Sequence, residues 1–387
     1  MEAAAATDLW AATGQTRAAE ALRAAVAGGE MAHAWAFTGP AGVGQEQAGR
    51  ALAAALNCPR TTSGRPCGAC DVCSRCARGA YPALWEFAPA GREHRVDDVR
   101  GQWLRAASRS AVEGDWKVLR IAEADRMNEA AANAFLKGLE EPPARTVWVL
   151  DVADPDELPD TILSRCRPVR FVPWGPDELD VQARRLGLAD DRDRALAVRA
   201  ALGLPARLTR FAAEGGLDDL RTHREILGGL RERGPGYALL AARAIDEEVK
   251  RRTTALKTES KAERAALAEL YGEQLPRGVV RQLDERVARQ EREARTAVVQ
   301  AALDDLLARL RDAVLVAAGW DPATAVHADA PDGLRADADA LGLPGLLRAC
   351  DLVAATREHL ELNVQQGLAL EALFLDLSAI VLENARG

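Results

Sequence analysis

Five of the chain's seven cysteines fall between Cys58 and Cys76, and Cys58, Cys67, Cys70 and Cys73 follow the pattern C-x8-C-x2-C-x2-C. Four thiolates satisfy a tetrahedral Zn²⁺, and two-residue gaps let successive sulfurs turn toward one ion. Pro66 and Gly68 allow the tight backbone that such a turn needs. Cys76 adds one further step of the same spacing, so it stands as an alternative to Cys73 or as a free thiol. An iron–sulfur cluster is the competing reading, but no distant cysteine followed by proline completes its pattern. Four protein ligands leave no open position, so the expected zinc is structural and not catalytic.

The second constellation is Gly39-Pro40-Ala41-Gly42-Val43-Gly44. It stands between an apolar run and a helical pattern, where a phosphate-binding loop belongs. Such a loop holds phosphate with backbone N–H groups and the positive end of the following helix. Phosphoryl transfer also needs a lysine on the β- and γ-phosphates and a Ser or Thr on Mg²⁺. Gln45 and Glu46 occupy those two places. An amide has no charge to offset phosphate, and a carboxylate repels it. The second half of the machinery is degraded in the same way. In Ala122-Glu123-Ala124-Asp125 the expected metal-side acid is an alanine, although Glu123 remains. For the loop alone a chance glycine turn is the competing reading; two defects in matched places make a decayed nucleotide site the better explanation. ATP hydrolysis by this chain is not expected.

Buried elements must position these residues. Ala34–Thr38, Val118–Ile121 and Thr146–Leu150 read as buried strands, and residues 15–32, 47–56 and 128–139 carry apolar residues at helical spacing. Pro142-Pro143 stops the last of these helices. Strands alternating with helices imply a parallel sheet covered on both faces. After Pro173 the strand signals fade. Residues 176–187 and 192–203 read as short helices, and the chain is almost wholly helical beyond about residue 218. Residues 240–312 are rich in Arg, Glu, Ala and Leu, with a break expected at Gly272–Pro276, and 341–383 should close a bundle. The charged stretch reads as a solvated helix face more readily than as a nucleic-acid contact. The expected division is an α/β domain at 1–173 with a zinc module at 58–76, a small helical lid at 174–217, and a helical domain at 218–387.

Bulk properties narrow the function. The 387 residues are 48 % hydrophobic and 28 % charged, with a net charge of −8, and the pI is near 5.4. That balance argues against a protein that grips nucleic acid by itself. No window reaches the ~18 uncharged apolar residues of a membrane span, and Met1–Ala6 does not read as a signal peptide. A cytoplasmic location is expected, and a cysteine cluster in a reducing compartment favours metal over disulfides. The five histidines are scattered without metal-ligand spacing, and the eight tryptophans read as core or interface anchors.

Taken in order, the motifs resemble the bacterial clamp-loader AAA+ subunits of DNA polymerase III. The loop, the cysteine cluster, Glu123–Met127, Asn133–Lys137, Leu139–Pro143 and Thr161–Cys166 carry the resemblance through roughly residues 8–175. His33-Ala34, Val96–Arg100 and, weakly, Leu368–Leu373 also fit. That family comprises an ATP-hydrolysing gamma/tau branch and a delta-prime branch in which a degraded site is expected. Loss of the loop lysine places this chain nearer the second. Two departures are Val152-Ala153, where a polar sensor is usual, and Tyr81-Pro82-Ala83, where histidine, proline and aspartate are frequent.

The resemblance implies that Ser164-Arg165-Cys166 is an arginine-finger motif, with Arg165 acting on a neighbour's ATP and Ser164 and Cys166 as its motif neighbours. Without the family, a salt bridge is the better reading of Arg165. Arg207, near the family's second nucleotide sensor, has packing as its default role. The implied partners are gamma/tau-like and delta-like subunits, with the sliding clamp and primed DNA reached through the complex, at the replisome on the nucleoid. An active gamma/tau-type ATPase and a DNA-reading zinc module are the competing functions. The acidic charge and the absence of a basic helix within the cluster weigh against the latter.

Overall fold

Alternation along the strands decides which side chains face which layer. In a strand successive side chains point to opposite faces, and here both faces of the central strands are apolar, so those strands serve two cores. The computed structural model describes residues 8–89, 91, 93–111, 113–271, 277–360 and 364–384. Its sheet comprises β1 (Ala34–Thr38), β2 (Leu84–Phe87), β3 (Lys117–Ile121), β4 (Thr146–Val152) and β5 (Arg167–Arg170). The order is β2-β3-β4-β1-β5, and every pairing is parallel. Trp35, Phe37, Val118, Val147 and Val149 face one core. Ala34, Ala36, Leu119, Trp148 and Leu150 face the other.

The helices that cover the sheet fit these rows. Gln45–Asn57 buries Ala48 and Ala51 through Ala55; small side chains let its backbone lie close to the strands. On the opposite face, Phe135 of the helix Glu129–Glu140 packs edge-on against Trp103 and Trp148, with ring centroids 5.6 and 4.9 Å apart. Asn128 caps that helix by accepting from the N–H of Ala131 at 2.9 Å, and the prolines at 142 and 143 follow its end.

The strands read from the sequence are present, with β4 running two residues further than expected. β2 and β5 were not anticipated. β5 is an edge strand in which only Val169 is buried, and Pro168 is tolerated there because an edge residue need not donate to the ladder. β2 is four residues long and carries Glu86, so its apolar signal is too short to stand out.

The chain divides into two compact units, residues 1–210 and 211–387. The helices Pro176–Arg185 and Asp191–Ala200 belong to the first. The second is helical among its described residues: Gly216–Arg233, Gly236–Tyr271, Arg277–Ala317, Pro331–Leu360 and Gln366–Asn384. Its core joins Leu227, Ile245, Leu306, Leu346 and Phe374. Pro331–Leu360 is two helices meeting at Gly342, whose φ of 57° breaks the ladder two residues before Pro344. The expected break at Gly272–Pro276 lies outside the described residues. No helix among the described residues is long and apolar enough to cross a membrane.

Candidate nucleotide site and metal centre

β1 delivers the chain into the glycine loop, and the loop needs glycine for contact reasons. Gly39 has φ 139°, and a Cβ there would lie 2.2 Å from the carbonyl oxygen of Phe171. Gly44 has φ 121°, and its Cβ would meet the carbonyl oxygen of Thr13 at 2.2 Å. The loop borders a cavity of about 380 Å³ lined by Gly42, Gln45, Glu46, Glu123, Asp151 and Trp174, among others.

Gln45 does not point at a ligand. It is 3 % exposed and folds into the loop. Its Nε2 donates to the carbonyl oxygens of Pro40 at 2.7 Å and Gly39 at 3.3 Å. Its Oε1 accepts from the N–H of Val43 at 3.1 Å. One backbone donor that a phosphate would use is therefore committed to the protein itself. From outside, the carbonyl of Val43 accepts from Gln15 Nε2 at 3.0 Å and Trp174 Nε1 at 2.9 Å. Gln45 thus holds the loop from within, and Gln15 and Trp174 hold it from outside.

Glu46 stands where a metal-binding hydroxyl would be and pairs with Arg50 at 2.7 Å. Arg50 continues to Glu86 at 2.8 Å, Glu86 to Arg120 at 3.3 Å, and Arg120 to Asp151 at 2.5 Å. This run of alternating charge spans the ends of β2, β3 and β4, and the sequence reading missed it. Arg120 lies two residues beyond Val118, and Asp151 two beyond Val149, so both extend an apolar row and face the loop side of the sheet. The overlooked signal is a charge at an inward position of a buried strand. Burial pushes the Asp151 carboxyl up to about 6, although Arg120 pulls the other way. Burial also works against the charge on Arg120, but Asp151 and Glu86 hold it above its ordinary value.

Ala122 offers no ligand atom from its side chain. Its carbonyl accepts from Nε2 of the buried His94 at 2.8 Å, which fixes the tautomer with a proton on that nitrogen. Burial holds the His94 pKa below the ordinary value. Glu123 keeps an uncommon left-handed backbone with φ 51°, and its side chain pairs with Arg126 at 2.7 Å. Asp125 ties β3 to β4 by accepting from the N–H groups of Ala153 and Asp154 at 3.1 and 2.9 Å.

Ser164, Arg165 and Cys166 do not line this cavity. Arg165 is 39 % exposed by its side chain and pairs with Glu140 at 3.0 Å. Its other terminal nitrogen donates to the carbonyl of Thr161 at 2.8 Å. Ser164 Oγ donates to the same carbonyl at 3.4 Å. Cys166 is buried, which pushes its thiol up to about 12.

In the cysteine module, Cys58 ends the helix Gln45–Asn57, and Cys70 caps the helix Asp71–Ala77. The sulfurs of Cys58, Cys67, Cys70 and Cys73 all lie within 4.8 Å of one another. Cys58 and Cys70 are 3.8 Å apart and Cys67 and Cys73 3.9 Å. A tetrahedron with metal–sulfur bonds of about 2.3 Å has edges of about 3.8 Å, so this donor set fits a single ion. Cys76 is not in that group; burial pushes its thiol up to about 12. Backbone N–H groups of Arg60 and Cys67 point at Cys58 Sγ, each at 3.4 Å.

A parallel sheet in this order, with a glycine loop after its first strand, defines a protein of the AAA+ P-loop NTPase class. A family model described as "DNA polymerase III, delta subunit" matches residues 14–174. The tau subunit of DNA polymerase III from Salmonella typhimurium is 39 % identical over 153 residues, which is 40 % of this chain and 24 % of that protein. The delta' subunit from Pseudomonas aeruginosa is 36 % identical over 191 residues, 48 % of this chain and 57 % of that one. A DNA polymerase III gamma subunit-related structure from Thermotoga maritima covers 93 % of this chain and 99 % of its own, at 16 % identity and a TM-score of 0.44. Over residues 14–174 the chain is thus similar to clamp-loader subunits of DNA polymerase III. It spans roughly a quarter of the length of the tau relative and a little over half of the delta' one.

Proposed function

We propose that this chain is the delta-prime-type subunit of a DNA polymerase III clamp loader, a member that hydrolyses no ATP and serves a neighbour's active site. The observation that carries the reading is Gln45 folded into its own loop, opposite a second motif whose metal-side acid is Ala122. Triphosphate and Mg²⁺ then lack both the cation and the carboxylate that neutralise developing charge. The ion-pair run from Glu46 to Asp151 fills the same region with protein charge.

In this reading the chain acts through Arg165. A guanidinium keeps its charge under all conditions and presents flat N–H donors to phosphate oxygens; at a neighbour's γ-phosphate such a group is worth on the order of 10³–10⁵ in turnover in other NTPases. Ser164 and Cys166 belong to the motif that carries it. The helices at 174–217 serve as a lid, and the helices at 218–387 pack with those of other subunits. Cys58, Cys67, Cys70 and Cys73 hold a structural Zn²⁺, which supplies four bonds and no reaction. The partners are gamma/tau-like and delta-like subunits, and through them the sliding clamp and primed DNA, in the cytoplasm at the replisome.

The test has two parts. The purified chain, given ATP and Mg²⁺, should release no phosphate above background. In a complex reconstituted with the gamma/tau-like ATPase, Arg165→Ala should lower clamp-stimulated turnover while co-elution of the subunits is unchanged. Turnover by the isolated chain that Glu123→Gln abolishes would favour the second reading, an active gamma/tau-type ATPase, for which the 39 % identity to a tau subunit is the supporting observation.

A further inference from the structure

The contact between Arg165 and Glu140 carries a consequence beyond the finger assignment, on which it rests. A long arginine on a surface samples many rotamers, and ordering it removes up to about 2 kcal/mol of side-chain entropy. Here both terminal nitrogens are already engaged. One donates to the carbonyl of Thr161, one helical turn earlier, and the other to Glu140 Oε1 at 3.0 Å. Two contacts on different atoms fix the plane of the guanidinium as well as its position. Three of its five N–H groups stay free of these two contacts.

The backbones on either side are held by their neighbours. Leu139 is 2 % exposed and Cys166 8 %, while Ile162 is fully buried. The N–H of Arg165 donates to the carbonyl of Ile162 at 3.0 Å. Glu140 is the last residue of the helix Glu129–Glu140, which Pro142-Pro143 keeps from continuing. Two exposed side chains thus meet between two anchored backbones.

We infer that Glu140 is a positioning residue: it holds the Arg165 guanidinium in the orientation in which a neighbouring subunit's γ-phosphate receives it. Glu140 touches no substrate and acts only through Arg165. An exposed pair contributes modestly, so its removal should lower turnover by about two- to fivefold, well short of removing the arginine.

The experiment uses the full clamp-loader complex containing this chain, with steady-state ATP hydrolysis measured over ATP concentration. Glu140→Ala should lower kcat about two- to fivefold and leave KM for ATP, subunit co-elution and the melting profile of the isolated chain unchanged. Glu140→Asp should recover part of the loss. In the Arg165→Ala background, Glu140→Ala should have no further effect, because the residue it positions is gone. A Glu140→Ala complex as fast as wild type, while Arg165→Ala is slow, would overturn the inference and leave the finger standing. A faster complex would do the same by showing that Glu140 restrains the arginine. An Arg165→Ala complex with full activity would instead sink the finger reading itself.

Discussion

A lysine at position 45 would carry an ammonium to the phosphates; the glutamine there satisfies three backbone groups of its own loop. Replacing it with lysine restores one charge and removes those three bonds, each worth about 1 kcal/mol. Gln45→Lys should therefore melt at a lower temperature and still release no phosphate, since Ala122 supplies no metal ligand and Glu46 remains. Hydrolysis by that single variant, followed as phosphate release, would show that the defect at 122 is immaterial. His223 offers a separate prediction. Buried between Asp305 at 2.9 Å and Glu248 at 3.1 Å, it would lose charge to burial, but hydrogen bonds to those carboxylates raise its pKa above the ordinary value. A raised histidine adds stability below its unfolded pKa of about 6.5, and that stability is lost as pH rises through the folded value. The urea midpoint of the second unit should fall between pH 6 and pH 9, and the fall should be smaller in His223→Gln. Equal slopes in the two proteins would show that this triad does not carry the pH dependence.

At the scale of elements, the cysteine module depends on a helix end and a short helix brought together by loops. The stretch between Cys58 and Asp71 has little apolar burial of its own, and small modules of this kind draw folding energy from metal. The purified chain should contain one zinc per molecule. A strong chelator should lower the melting temperature of the first unit, and Cys70→Ser should abolish zinc retention while Cys76→Ser leaves it intact. Zinc lost from Cys76→Ser, read by metal analysis, would make Cys76 a ligand in place of Cys73. The same scale explains what the sequence concealed. β5, Arg167-Pro168-Val169-Arg170, shows one buried side chain in four, so periodicity could not separate it from loop. Gly342 breaks the helix Pro331–Leu360 inside a stretch whose composition favours helix on both sides.

For the whole molecule, the two units have separate cores: two layers around the sheet in residues 1–210 and one helical core in 211–387. Each core is closed by its own elements, so residues 8–210 expressed alone should fold cooperatively and retain zinc. A non-cooperative melt of that fragment, followed by circular dichroism, would refute its independence. The sequence by itself determined the main strands, the glycine loop with its missing cation and acid, and the cysteine spacing. These are local patterns, set by side-chain chemistry at fixed separations along the chain. Only the tertiary structure decided that Gln45 occupies the loop it borders. It alone brought Glu86, Arg120 and Asp151 from three strands into one run of charge, and set Arg165 against Glu140. The ion pairs among these residues join positions 25 to 34 apart, and no periodicity records them, because such proximity arises only when the sheet is assembled.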